Sequence, residues 1–250
     1  MPVYNTPEAS MSRSARRTGF AAAVIVASVL GAGSALAQQS VTLTAGQFAV
    51  KGFDSRIDRD VLLENLNVFA FRLDDFNGGA VGGSWDLALG DHFEVSLGLG
   101  FYQRTVPSVY NDYVDVDGSE IFQDFRLRIV PATATIRFLP FGDTPVQPYF
   151  GGGFGLYAWR YAEFGKFIDF SAVDRFGSFD TFNDRFVAEG TDAGGVVLGG
   201  VRIPFGDRYA LGLEAQYHEV SGVVGIDNGF LEDEIDLGGL TTQVTFQVGF

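Results

Sequence analysis

The sequence predicts an all-β protein: an eight-stranded antiparallel transmembrane β-barrel with short periplasmic turns and four long outer loops. Three observations predict it. Over the last eleven residues Leu240, Thr242, Val244, Phe246, Val248 and Phe250 alternate with Thr241, Gln243, Thr245, Gln247 and Gly249, the period of a strand with two unlike faces. Similar segments recur upstream, joined alternately by short turn-rich and long connections. The 250 residues are 46% apolar and include 33 Gly, yet no set of stretches of about 20 uncharged apolar residues exists to build a helical membrane bundle.

The first element is an address. Arg13, Arg16 and Arg17 precede an uncharged run from Phe20 to Gly33, and Ala35-Leu36-Ala37 supplies the small residues of a cleavage site before Gln38. This is the layout of a secretory signal peptide. The alternative is a single anchoring helix, for which the apolar run is short. The reading is a signal peptide over 1–37, with Met11 as an alternative start, and a barrel domain over 38–250. Without residues 1–37 the chain carries 14 basic and 30 acidic side chains, a net charge of −16. That balance repels phosphate and excludes nucleic acid as an expected partner. The absence of cysteine excludes thiolate metal sites and cysteine nucleophiles, and it suits an exported bacterial chain.

Eight strands follow, at about 41–50, 80–89, 93–104, 122–138, 146–159, 194–203, 209–217 and 240–250. Phe93, Val95, Leu97, Leu99 and Phe101 alternate with Glu94, Ser96, Gly98, Gly100 and Tyr102. Tyr209, Leu211, Leu213, Ala215 and Tyr217 alternate with Gly212, Glu214, Gln216 and His218. In 125–138 the parity of apolar residues flips at Pro131, and a β-bulge there would restore the faces. Gly90-Asp91-His92, Gly142-Asp143 and Gly206-Asp207 mark the short turns. The long connections are about 51–79, 105–121, 160–193 and 218–239. Residues 60–73 mix helical spacing with alternation, so both readings stay open there.

Short turns at one end and long loops at the other describe an outer-membrane barrel, closed because open strand edges cannot lie in lipid. A soluble eight-stranded barrel such as a lipocalin shows the same period, with the faces exchanged. The signal peptide, the terminal Phe strand and the charges on the minority face favour the membrane. Apolar faces toward lipid then turn Asp86, Glu94, Arg126, Arg128, Arg137, Arg202 and Glu214 inward, as a paired core that plugs the lumen or as the lining of a narrow path.

The four loops hold 23 of the 31 acidic residues. They form either a solvated repulsive face or a surface for cations, for lipopolysaccharide held through divalent ions, or for a protein. The third loop adds Phe164, Phe167, Phe170, Phe176, Phe179, Phe182 and Phe186 between acidic residues, which predicts ordered structure there. Asp112, Asp115, Asp117 and Glu120 resemble a calcium loop in composition. Their spacing is too short, and Asp117-Gly118 favours a turn. No residue is assigned to a cofactor, a metal or catalysis. His218-Glu219-Val220-Ser221 has one residue more than a His-x-Ser pair, so on a strand the two side chains would point apart.

On the terminal strand Leu240–Phe250, the Gly-rich strand Tyr149–Trp159 and the Gly-Asp turns, the chain resembles the bacterial outer-membrane β-barrel family, which includes the eight-stranded barrels of the OmpA and OmpW types. The resemblance implies a Gram-negative outer-membrane address, with lipid and lipopolysaccharide around the wall. It implies a barrel-assembly machinery that reads the end of the chain at Phe246, Val248 and Phe250. It further implies a monomer with a structural or interaction role, an OmpW-like small-solute pore as the alternative role, and a lipid A-modifying enzyme as a remote one. Full OmpA architecture adds a cell-wall-binding domain after the barrel; the chain departs from it in that none is expected after Phe250.

Overall fold

The computed structural model describes residues 38–169 and 179–250. Ala35 and Ala37 of the expected cleavage site lie outside the described residues, as do Phe170 and Phe176. Eight strands close one antiparallel barrel: β1 (Gln39–Val50), β2 (Gly78–Leu89), β3 (Phe93–Val114), β4 (Glu120–Phe138), β5 (Gln147–Asp169), β6 (Asp180–Phe205), β7 (Tyr209–Glu219) and β10 (Gly239–Gly249). Around the barrel they run β1-β10-β7-β6-β5-β4-β3-β2, so the first and last strands seal the ring. A small hairpin, β8 (Ser221–Val223) with β9 (Glu234–Asp236), stands in the last outer loop, and a helix, α1 (Val61–Val68), stands in the first. The three short turns each carry a glycine at positive φ: Gly90, Gly142 and Gly206.

The strands are unequal. β1, β2, β7 and β10 have 11 or 12 residues, whereas β3 to β6 have 19 to 26. The expected loops 105–121 and 160–193 are therefore mainly strand, two hairpins that continue the barrel wall beyond the other four strands.

Pro131 marks where that continuation begins, and the expected bulge there is absent. Phe93 pairs with Phe138 and Val109 with Phe122 in one unbroken register, and the β4–β5 register also runs through Pro131 without a shift. Odd-numbered residues of β4 face inward along its whole length. What changes is the polarity of the faces. Below Pro131, Ile136 is exposed and Arg137 buried; above it, Phe125, Leu127 and Ile129 are buried and Arg126 and Arg128 turn outward. The lower wall has an apolar outside and a polar inside. The upper wall has the reverse, as in a soluble barrel.

The exposed apolar positions of the lower wall form a continuous band that includes Leu43, Val81, Leu99, Ile136, Phe154, Val197, Leu213 and Val244. Along β4 the band runs from Phe138 to Val130, about 26 Å at roughly 3.3 Å per residue. Rings pack side by side at its lower rim: Phe93, Phe138 and Phe150 on one side, Phe205, Tyr209 and Phe246 on the other. An apolar band with an aromatic girdle on a barrel without edges is the solution a bilayer requires. The strands cross the membrane at this band.

The upper barrel is filled by its own loops. α1 begins at Asp60, whose side chain accepts from the Leu62 N–H, and it buries Val61, Leu62 and Asn65. After the helix the chain straightens, and Phe69 bridges to Tyr110 of β3. Both readings of 60–73 thus hold in part. Phe69, Phe76, Phe125, Trp159, Tyr161, Phe230 and Ile235 share one apolar core under this cap.

Candidate functional site

The lumen at the level of the band is held by five charged side chains on five strands. Arg137 of β4 is the hub: Nη1 lies 3.2 Å from Asp86 Oδ1 and 2.9 Å from Glu94 Oε1, and Nη2 lies 3.0 Å from Glu214 Oε2. Arg202 of β6 reaches the other Glu94 oxygen at 2.8 Å. The strand period puts these side chains on inward faces, and the ring brings together residues up to 128 positions apart (Asp86 and Glu214). Neutral donors complete the carboxylates. Thr42, Ser84 and Ser96 donate to Asp86; Tyr149, Gln216 and Gln243 donate to Glu214. Three carboxylates face two guanidiniums, each one hydrogen-bonded, which is the condition for burying charge.

Above this cluster is a cavity of about 80 Å³ lined by small and polar side chains, among them Thr44, Ser84, Thr133, Gln216, His218 and Gln243. It has room for a few waters. Phe48, Tyr102, Tyr157 and Leu237 lie at its upper side, next to the cap. Below the cluster the lumen opens toward the short turns as a vestibule of about 450 Å³ that includes Glu94, Gln147, Arg202 and Gln247. His218 faces the lumen, its Nδ1 2.9 Å from the Tyr157 hydroxyl, while Ser221 belongs to the β8 hairpin. No His–Ser contact forms.

Sequence reasoning missed a second ion cluster, which ties the first and last outer loops together. The Lys51 ammonium is buried between Glu219 and Asp236, at 2.5 and 3.1 Å. The Arg56 guanidinium is bound by Asp60, both side chains fully buried, and donates to the Asp236 carbonyl at 2.7 Å. Asp60 also accepts from the Asp236 N–H at 3.1 Å, and Asp236 from the N–H groups of Ile57 and Gly238. Residues near 55 and near 236 carry no local pattern that announces their pairing; only the barrel's closure makes them neighbours.

Glu163 fastens α1 to the wall. It lies on β5 above the lipid-facing band, buried, and accepts from Asn65 Nδ2 at 2.7 Å and from the Tyr161 hydroxyl at 2.9 Å. Burial pushes its carboxyl above the ordinary 4.5, against the pull of those two donors. A folded-state value above the unfolded one contributes stability below the unfolded value, and that contribution is lost as pH rises through the folded value. The apparent melting temperature is therefore expected to fall as pH is raised above about 4.5, and Glu163→Gln to flatten that part of the profile. Parallel thermal unfolding curves over pH for the two proteins check it; identical pH dependence would refute the assignment.

Two of the seven residues assigned to the lumen are elsewhere. Arg126 and Arg128 lie on the outer face of β4, above the band, because the wall's polarity reverses at Pro131 while its parity does not. Arg126 donates from Nε to Thr105 at 3.1 Å and covers the Phe164 ring, with Arg185 on the same ring. Phe167 packs on Phe182 and Phe186, and Phe186 on Phe230, so these third-loop rings belong to ordered strands. At the β3–β4 tip Asp115 pairs with Lys166, Asp117 Oδ1 accepts from the Ser119 N–H, and Gly118 turns the chain at φ +81°. At the chain's end, Phe246 stacks with Tyr209, Val248 pairs with Val41, and the Phe250 N–H donates to Gln39 while its ring is exposed. Gln38 lies beside the β2–β3 turn, its carbonyl accepting from Ala88.

No protein-family model matches the sequence, and no curated protein sequence matches it. Solved structures do. Ail, the attachment invasion locus protein of Yersinia pestis, solved in complex with the heparin analogue sucrose octasulfate, aligns over 86% of this chain and 99% of its own at 12% identity and a TM-score of 0.41. The outer membrane protein OprG of Pseudomonas aeruginosa aligns over 86% and 94% at 9% identity and a TM-score of 0.44. Neisserial surface protein A aligns over 85% and 97% at 17% identity and a TM-score of 0.42. By its own closure and lipid-facing band, this chain is an eight-stranded antiparallel β-barrel whose wall is built to cross a membrane.

Proposed function

We propose that the protein is a closed outer-membrane barrel that works through its outer surface. The chain is exported by residues 1–37, cut after Ala37, and inserted by an assembly machinery that reads Phe246, Val248 and Phe250. The barrel stands as a monomer among outer-membrane lipids. Its role is to hold a rigid acidic cap, made of both long hairpins and the first and last loops, outside the cell for a partner to meet. What supports this reading is the Arg137 cluster of ion pairs inside the lumen at the level of the band, with α1 and its apolar core packed above it.

A small-solute pore is the second reading, favoured by the polar cavity between that cluster and that core. Single-channel recording of the refolded protein, residues 38–250, in a planar bilayer separates the two. Folded protein that gives no conductance steps is the expected result. Reproducible steps would overturn the closed-lumen reading and place the pore first.

A further inference from the structure

We infer that the outer wall carries a binding site for the phosphate groups of lipids in the outer leaflet, centred on Arg128 and Arg160. These residues are direct Cα partners across β4 and β5 and share the outward face. Two guanidiniums side by side on one sheet face repel each other unless an anion lies between or beside them. The row reads Gln103, Arg128, Arg160, Glu189 across four strands, and its single carboxylate, Glu189, reaches Arg160 at 3.6 Å. Arg126 and Arg185 flank the pair from the rows above, opposed by Asp124.

Position selects the ligand. The next row down is Phe101, Val130, Ala158 and Thr191, and below it come Leu99, Ala132, Leu156 and Ala193, which face lipid. Arg128 and Arg160 are thus in the first charged row above the hydrocarbon, on the side of the long loops, where lipid headgroups begin. Arginine meets phosphate through paired N–H donors, whereas the chain as a whole carries a net charge of −14 that would repel such an anion. This local excess of cations is the exception on an acidic molecule. The inference rests on the transmembrane placement of the band but not on the closed lumen, so conductance would leave it standing.

Native mass spectrometry of the refolded protein released from neutral detergent, titrated with diphosphoryl lipid A, tests it. Arg128→Gln/Arg160→Gln is expected to weaken binding about 30-fold, which corresponds to about 1 kcal/mol for each arginine at a charged membrane surface. Arg72→Gln, an exposed arginine of the first loop, should leave it unchanged. Dephosphorylated lipid A should bind the wild type as weakly as it binds the double variant, and inorganic phosphate should not compete at equal concentration. The double variant should fold at least as well as the wild type in neutral detergent, since a repulsive pair is removed; its gel mobility before and after heating checks this. Equal lipid A binding by folded wild type and double variant would overturn the site. Full competition by inorganic phosphate would replace the lipid ligand with a simple anion.

Discussion

Arg137→Leu is expected to destabilise the barrel by at least about 3–5 kcal/mol, the cost of breaking a buried ion pair. The lower figure applies to one orphaned charge, and here Asp86, Glu94 and Glu214 all lose the same partner. Only Glu94 keeps a cation, Arg202. Arg202→Leu should cost less, because its side chain remains 16% exposed at the vestibule and Glu94 retains Arg137. Glu214→Gln in the Arg137→Leu background should recover part of the loss, since it removes one uncompensated charge and keeps one oxygen to accept from Gln216 and Gln243, while the acceptor for Tyr149 is lost. Urea midpoints of the refolded proteins in lipid vesicles, followed by heat-modifiable gel mobility, give the ranking. An unchanged midpoint for Arg137→Leu would mean that the cluster is hydrated rather than dry.

Asp60→Ala is expected to release the cap while leaving the membrane barrel folded. Its carboxylate is fully buried and answers three groups at once: Arg56, the Asp236 N–H and the first turn of α1. Removal leaves the buried Arg56 without its counter-ion, a loss of about 3–5 kcal/mol. That loss falls on local opening of the first loop, because none of these contacts lies in the lipid-facing band. Where opening is fast relative to cleavage, trypsin cleavage at Lys51, Arg56 and Arg59 should accelerate by about two to four orders of magnitude. Heat-modifiable mobility of the remaining barrel should persist. If cleavage rates match the wild type, the Asp60 network does not hold the cap.

The number of strands, their approximate places, the three turns and the inward position of Asp86, Glu94, Arg137, Arg202 and Glu214 were legible in the chain, because strand period is local and charge cannot face hydrocarbon. The same period misplaced Arg126 and Arg128. Alternation states which residues share a face but not which medium that face meets, and at Pro131 the medium changes from lipid to water while the register continues unbroken. A bulge was inferred where the environment, not the backbone, had changed. The extension of β3 to β6 was hidden for the same reason: in water their outer faces carry the Asp, Arg and Glu of ordinary loops.

Tertiary structure alone decided the cap. Asp60 as a helix N-cap lies within reach of sequence reasoning, but its engagement with Asp236 does not. That contact exists only because β1 and β10 close the ring and return the last outer loop to the first. Glu163 likewise meets Asn65 across 98 residues. A barrel with a polar lumen and long connections on its outer side could be read from the chain, since both follow from period and turn chemistry. Which charges pair, which loops fill the upper barrel and which arginines face outward depended on closure, because burial and counter-ions come from residues distant in the chain.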